Sequence, residues 1–420
     1  AEFASMIPVA GSAYTFTYTT VGEIVAWVIG WDLILEMLMA GSVVSKYWGV
    51  YLNQFFELIG WNINTNIAIG SFNFDLAPVI IVAFFTALLV MGTKIGARVD
   101  GALTILKIAI VVFIVVVGFF YIKAENFTPF IPPSEPAAST DGSGVSAVME
   151  QPLWQWATGM APSIYGVTGI ISGAALVFFA FLGFDVVATA SEETINPKKN
   201  VPLGIGVGLG LIIVLYTLVA IVTTGMVSYK DLAKQSDPSL AVAFKMVGAD
   251  WAAKIISLGI VIGMATVVMV LLLGLTRVVF AMSRDGLLPR GLSHTGKHGT
   301  PVRLQIIVGV VMALIAACCN VGILSDMVNI GTLSAFTLVA ISIPIMRKKR
   351  PDLERSFKIP GNPWVPILIA LANLWLMVNL SVLTWIRFVV WLIVGFAIYF
   401  GYGYRHARLG AGELEVAAQE

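Results

Sequence analysis

The chain has 420 residues and a formal net charge of +1, and 58% of its residues are hydrophobic against 12% charged. Its mean hydropathy is +0.91. This composition excludes a soluble globular protein and predicts an all-α polytopic membrane protein, with the lipid bilayer as its first partner. The nearly neutral charge gives no reason to expect a nucleic-acid partner.

Apolar runs of roughly 20 residues predict about ten membrane helices. In chain order these are 18–52, 77–93, 99–122, 168–195, 203–227, 251–284, 303–319, 322–346, 364–384 and 387–404. One side of this arrangement carries 18 of the 25 Lys and Arg residues, and the other side carries 7. Because positively charged loops stay in the cytoplasm, we expect a multi-pass protein of the cell membrane with both ends cytoplasmic.

The helix lengths predict an internal repeat. The first three predicted helices run long, short and medium, and the helices 251–284, 303–319 and 322–346 repeat that order in the opposite direction. This is the pattern of an inverted-topology repeat of five helices, although agreement by chance is the alternative. The first copy is then expected to lack its first helix and most of its second. The predicted units are a remnant of the first repeat, an extracellular loop, the second repeat, and two final helices with a cytoplasmic tail, at 1–122, 123–167, 168–346 and 347–420.

The fourth predicted helix is apolar but interrupted by Gly183 and Asp185. In hydrocarbon, a broken helix is tolerated only inside protein or beside a watery cavity. Transporters place such breaks at the substrate site. We therefore expect the backbone carbonyls of Phe179, Ala180 and Leu182 to be free to accept from a substrate ammonium.

The segments Phe178-Phe-Ala-Phe-Leu-Gly-Phe-Asp185 and Glu192-Glu-Thr-Ile-Asn-Pro197 resemble the sixth helix and following loop of amino acid–polyamine–organocation transporters, most closely their cationic amino acid transporter branch. The run Arg277-Val-Val-Phe-Ala-Met-Ser-Arg-Asp-Gly-Leu-Leu-Pro289 resembles the end of that family's eighth helix. The resemblance implies a leucine-transporter-type 5+5 inverted repeat with two further C-terminal helices. It implies an amino acid substrate and leaves open a small single-helix membrane partner. No nucleophile–base pair or metal-ligand cluster in the helices indicates an enzyme, a cofactor or a metal site.

The resemblance also assigns substrate-binding roles to individual residues. Phe179, Ala180 and Leu182 match positions that contact the substrate amino group in the family, and Phe181 could cover the pocket. Ordinary packing is the alternative for any single phenylalanine. Met269, in the middle of the 251–284 helix, is expected either to set the pocket size or simply to pack.

Charged residues inside the predicted spans suggest a proton path. Lys107 matches the fifth-helix lysine of proton-coupled family members, which implies proton coupling; snorkelling to the interface is the alternative. Its ammonium would also repel sodium. Asp185 is expected either to act in transport or to bond unwound backbone. Asp32 and Glu36 share a helix face and could line a proton path or pair with Lys107.

These expectations together predict a secondary active transporter that moves amino acids by proton symport with alternating access. One alternative is an exchanger of amino acids or polyamines without net proton coupling. Another is a transport-inactive amino acid sensor.

Overall fold

The computed structural model describes residues 2, 14, 18, 22–61, 63, 65–69, 72–92, 97–136, 148–183, 187, 194–235, 238–296, 300–349, 351, 355 and 357–407. In this part of the chain, six helices are long and apolar enough to cross a membrane, judged by length and composition, and four shorter helices are also apolar. Each of the ten predicted segments overlaps one of these ten helices. The fold is therefore that of an all-helical polytopic membrane protein, as predicted.

The described helices, in chain order, are α1 (Glu23–Leu58), α2 (Leu76–Val90), α3 (Ala97–Phe119), α4 (Leu153–Thr158), α5 (Gly166–Val177), α6 (Pro197–Met226), α7 (Tyr229–Ala233), α8 (Leu240–Met246), α9 (Asp250–Arg284), α10 (Val302–Cys318), α11 (Val321–Lys349), α12 (Trp364–Val378), α13 (Val382–Ile398) and α14 (Tyr404–His406). The strands are β1 (Asn66–Ile69), β2 (Phe72–Asp75), β3 (Glu135–Pro136) and β4 (Ser163–Ile164).

The centre of the molecule is the pair α1 and α9, with α11 packed against α1. The two helices run antiparallel, since Gly30 lies beside Met282 and Gly41 lies beside Leu271. Glycines at these positions let the backbones approach closely, as is usual between membrane helices. The pair and its neighbours bury the largest hydrophobic cluster among the described residues, which we call the main core.

Aromatic side chains join α1 to α13. The Trp31 ring stacks on Trp391 at a centroid distance of 4.4 Å. The Trp31 Nε1–H also donates to the Trp391 carbonyl oxygen at 2.9 Å. A buried indole N–H usually finds an acceptor, and this bond helps to fix how α1 meets α13.

Two helix boundaries differ from the prediction for local reasons. α1 continues six residues beyond its predicted end and stops where Gly60 takes a φ of +88°, a conformation that favours glycine. Its last turn is closed by Trp61 N–H, which donates to the Phe56 carbonyl at 2.8 Å. α12 ends at Val378 because Ser381 caps α13, its Oγ accepting from Thr384 N–H at 3.2 Å.

The predicted loops contain local order. A hairpin forms where β1 pairs antiparallel with β2, a feature the hydropathy pattern did not predict. Within the predicted extracellular loop, β3 pairs with β4, and Glu135 of β3 forms a 2.8 Å ion pair with Lys230 of α7. These contacts tie the loop to the start of α5, the helix that carries the break.

Candidate functional site

The broken helix is present, but it breaks earlier than Gly183. α5 ends at Val177, and Phe178–Phe181 form one turn of 3-10 helix. Leu182 then takes an extended conformation with φ −62° and ψ 145°, and Gly183 follows with φ +105°. A residue with a Cβ rarely adopts that last angle, so the glycine supports the exit from the break.

Two of the three carbonyls named in the prediction already accept a hydrogen bond. The Phe179 carbonyl accepts from Leu182 N–H at 3.1 Å. The Ala180 carbonyl accepts from the hydroxyl of Tyr216 on α6 at 2.9 Å. No hydrogen bond from a described residue reaches the carbonyl of Leu182. A carbonyl oxygen has two lone pairs, so Phe179 and Ala180 each keep one further acceptor site.

The side chains of the turn divide between two environments. Phe179 and Leu182 pack against the main core, as does Met269 on α9. Phe181 instead meets the Tyr216 ring edge-on at 5.5 Å. The structure thus brings three of the predicted binding residues to one apolar region and directs Ala180 and Phe181 toward α6.

A buried amide that the sequence prediction missed supports the last turn of α5. Asn329 on α11 is fully buried, and its Nδ2 donates to the Leu176 carbonyl at 2.9 Å. Its Oδ1 accepts no hydrogen bond from a described residue. An asparagine inside the apolar run of α11 was the available signal, because a polar residue within a membrane helix needs a partner.

Lys107 lies between α3 and α9. It is partly buried, and its aliphatic carbons pass over Gly263, where a Cβ would stand 3.2 Å from Lys107 Cγ. The glycine therefore makes room for the lysine side chain in the middle of α9. That position favours the functional interpretation of Lys107 over snorkelling toward a helix end.

The two carboxylates of α1 are buried far from this lysine. Asp32 is 0% exposed and Glu36 is 1% exposed. Gly30 and Gly41 of α1 lie beside Met282 and Leu271 of α9, so Glu36 lies at a height between these two α9 residues. Lys107 contacts Gly263, further along α9. At 1.5 Å per residue, this separates Lys107 from Glu36 by roughly 20 Å along α9. This separation favours the other alternative, a role along a proton path, over pairing with Lys107, because a lysine side chain is much shorter than that.

Asp32 is among the buried polar side chains of the described residues whose hydrogen bonding is incomplete. The Ser334 hydroxyl faces its carboxylate from α11. No described residue gives either carboxylate oxygen a hydrogen bond of acceptable geometry. Asp185, the other predicted intramembrane carboxylate, lies outside the described residues.

A helix broken inside a bundle of membrane helices, with partly open carbonyls and a lysine at the same bundle, defines a membrane transporter rather than an enzyme. A family model described as amino acid permease matches residues 1–401, and the chain belongs to this family. The predicted resemblance is thereby confirmed.

Known relatives agree with this assignment. The chain is 41% identical to the branched-chain amino acid permease BcaP of Bacillus subtilis (strain 168) over 97% of its length and 83% of the relative's. It is 40% identical to a methylthioribose transporter of the same organism, with the same shares covered. It is 28% identical to the human cationic amino acid transporter 4, over 99% of this chain and 80% of that one.

Proposed function

We propose that this permease moves amino acids across the cell membrane by proton symport with alternating access. The observation that carries the proposal is the position of Lys107 relative to the break. Gly263, which Lys107 covers, is six residues from Met269, or roughly 9 Å along α9. Met269 packs against the same main core as Phe179 and Leu182. Lys107 therefore packs on α9 within two turns of a residue that shares the main core with the broken turn.

The substrate that fits this region best is an amino acid with an aliphatic side chain. Phe179, Leu182 and Met269 offer apolar surface, and burial of apolar groups gives affinity without a charge partner. The name of the Bacillus subtilis BcaP relative supports branched-chain amino acids as the first candidates. Methylthioribose and cationic amino acids, named for other relatives, are the competing substrates for the test.

The distribution of Lys and Arg supports cytoplasmic positions for both ends of the chain. The hydrophobic exterior of α3 and α6 supports a membrane location with lipid against these helices.

The test is uptake by purified protein in proteoliposomes, with and without an inward proton gradient. Labelled leucine, isoleucine and valine are compared with lysine and methylthioribose. We expect branched-chain uptake to depend on the gradient. Uptake that requires internal amino acid and ignores the gradient would instead indicate an exchanger, and binding without uptake would indicate a sensor.

Lys107→Ala should abolish proton-driven uptake, because it removes the proposed proton carrier. Lys254→Ala is the matched control, since that lysine is exposed on α9, the helix against which Lys107 packs. Both variants should elute from size exclusion like the parent protein. Unchanged pH dependence of uptake in Lys107→Ala would reject its role.

A further inference from the structure

The chain enters α5 through two consecutive residues with a positive φ. Tyr165 has φ +62° and ψ −164°, and Gly166 has φ +64°. Glycine adopts such conformations freely, whereas a residue with a Cβ is strained in them. A strained residue of this kind persists only where neighbouring groups hold it, and such residues cluster at segments that switch position. Tyr165 is therefore a candidate hinge at the start of the helix that leads into the break.

The Tyr165 ring is held by α7. It meets the Tyr229 ring edge-on at a centroid distance of 5.5 Å, and the Lys230 Nζ lies 5.1 Å from its centroid. A cation over an aromatic face is attracted by the ring. We call these two ring contacts the α7 contact. They oppose a rotation of the Tyr165 backbone out of its strained conformation, because that rotation would carry the ring away from α7.

The segment before the hinge is fixed in place. α4 is bonded to the turn between α12 and α13, where Trp154 Nε1–H donates to Asn379 Oδ1 at 2.8 Å. Leu153 N–H also donates to the Leu380 carbonyl at 3.0 Å. A rotation at Tyr165 therefore moves α5 and leaves α4 where it is.

The far end of α5 is held by α11. Asn329 Nδ2 donates to the Leu176 carbonyl at 2.9 Å, which we call the α11 contact. Two residues further on, at Phe178, the α-helix gives way to the 3-10 turn. α5 is thus a helix of 12 residues that can move as one piece, with a change of backbone conformation at each end.

α5 has open volume along two of its faces. A cavity of ≈ 640 Å³ lies along Ser172 and Leu176 on the side of α11, the α5–α11 cavity. A groove of ≈ 420 Å³ lies along Ile170 on the side of α6 and α7, the α5–α6 groove. Tyr165 lines both. Protein interiors are otherwise close-packed, so these two volumes let α5 move sideways without displacing packed side chains.

We propose that Tyr165 is a strained hinge on which α5 swings between the α5–α6 groove and the α5–α11 cavity, and that the α7 and α11 contacts set its resting position from opposite sides. Loss of the α7 contact moves α5 toward the α5–α11 cavity, and loss of the α11 contact moves it toward the α5–α6 groove. The inference rests on the proposed function only for its use in transport, since α5 leads directly into the broken turn.

The position of α5 is measured in detergent from one introduced thiol on each face, which requires no transport. Both reporters are made in the full chain carrying Cys318→Ala and Cys319→Ala. Ser172→Cys lies at the α5–α11 cavity, and Ile170→Cys lies at the α5–α6 groove. The measured quantity is the ratio of their rates of modification by a methanethiosulfonate reagent, Ser172→Cys over Ile170→Cys. A swing changes this ratio, whereas a general loosening of α5 raises both rates together.

Lys230→Gln weakens the α7 contact. The ratio should fall by about two- to fivefold, the factor that corresponds to a cation–π contact at an exposed site. Lys234→Gln removes the charge of another exposed lysine at the end of α7 and is the matched control, which should leave the ratio unchanged. Asn329→Leu removes the α11 contact and should raise the ratio instead.

Tyr165→Ala and Tyr165→Gly separate the backbone strain from the ring. Both remove the α7 contact, but only alanine keeps the Cβ that is strained at this φ. The ratio should therefore be at least about fivefold lower in Tyr165→Ala than in Tyr165→Gly. Tyr165→Phe keeps the ring and should match the parent. These exposed-side variants decide the matter if Asn329→Leu does not fold.

Three results would each overturn the proposal. They are an unchanged ratio in Lys230→Gln, equal ratios in Tyr165→Ala and Tyr165→Gly, and shifts of the same sign in Lys230→Gln and a folded Asn329→Leu. The proteoliposome assay keeps this separate from the proposed function. Gradient-driven uptake with an unchanged ratio rejects the hinge alone, whereas the expected ratios with uptake that ignores the gradient support the hinge and reject proton symport.

Discussion

The end of α11 and the middle of α1 both bury carboxylates, and two of these, Glu2 and Asp32, have opposite surroundings. Glu2 accepts from Arg347 through Nε at 2.8 Å and Nη2 at 2.6 Å, and from Ile359 N–H at 2.9 Å. Asp32 is equally buried, yet among the described residues it is faced by the Ser334 hydroxyl alone, and neither of its oxygens has a partner at good hydrogen-bond geometry. The first carboxylate joins separate segments of the chain. The second lowers stability without forming any such link, which is expected of groups retained for function.

The largest effect should come from Glu2→Gln. It leaves the Arg347 guanidinium partly buried without its counter-charge, and breaking a buried pair in this way costs about 3–5 kcal/mol. Chemical unfolding in detergent measures the loss. Glu57→Gln, in an exposed 3.0 Å pair with Lys245, is the control and should cost at most about 1 kcal/mol. Equal losses in the two variants would show that the Glu2 cluster is not structural.

Asp32→Leu should do the opposite to stability. It removes a fully buried carboxylate that has no hydrogen bond of good geometry from a described residue, so the free energy of unfolding should rise by about 1–3 kcal/mol. Proton-driven uptake should fall, because the carboxylate of the proposed proton path is gone. The same unfolding measurement and the proteoliposome assay check both parts. A destabilised variant that keeps its uptake would place Asp32 with Glu2 as a structural residue.

The smallest effect on stability should come from the pair of Glu135 and Lys230, because both side chains are exposed and each already has its partner. The hydrogen bond to Glu135 raises the pKa of Lys230 above its ordinary value of 10.5. Because the pKa of Lys230 is raised in the folded state, the pair stabilises the fold at pH values below the ordinary pKa of 10.5. This stabilisation is lost as the pH rises through the raised pKa of the folded state. Glu135→Gln should therefore speed proteolysis of the loop around β3 slightly at neutral pH. The difference from the parent should vanish at strongly alkaline pH; a difference that persists there would contradict the tether.

Hydropathy alone predicted the ten apolar helices and showed that one of them is interrupted, because both features follow from the cost of placing polar groups in hydrocarbon. It missed the α12–α13 boundary, since Leu380 and Val382 continue the apolar run across the Ser381 cap.

The partners within the site could not be predicted from sequence. The bond from Tyr216 to the Ala180 carbonyl joins residues 36 positions apart, and that from Asn329 to Leu176 joins residues 153 apart. The apolar periodicity of a helix shows which of its faces is buried, but it does not show which other helix packs against that face. For the same reason, the sequence could not give the separation of Lys107 and Glu36. It is estimated as roughly 20 Å along α9, because both α1 and Lys107 of α3 contact that helix.

The unequal helix lengths have a consequence for the surrounding lipid. α2 and α10 pack together and have 15 and 17 residues, or roughly 23 and 26 Å, less than the ~30 Å hydrocarbon thickness of a bilayer. α1 and α9 have 36 and 35 residues, roughly 54 and 53 Å. Lipid beside the short pair must thin, while the long pair must tilt or project. A change in acyl-chain length would then change the hydrophobic mismatch by different amounts on the two sides of the protein. A thicker membrane would increase the mismatch first beside α2 and α10.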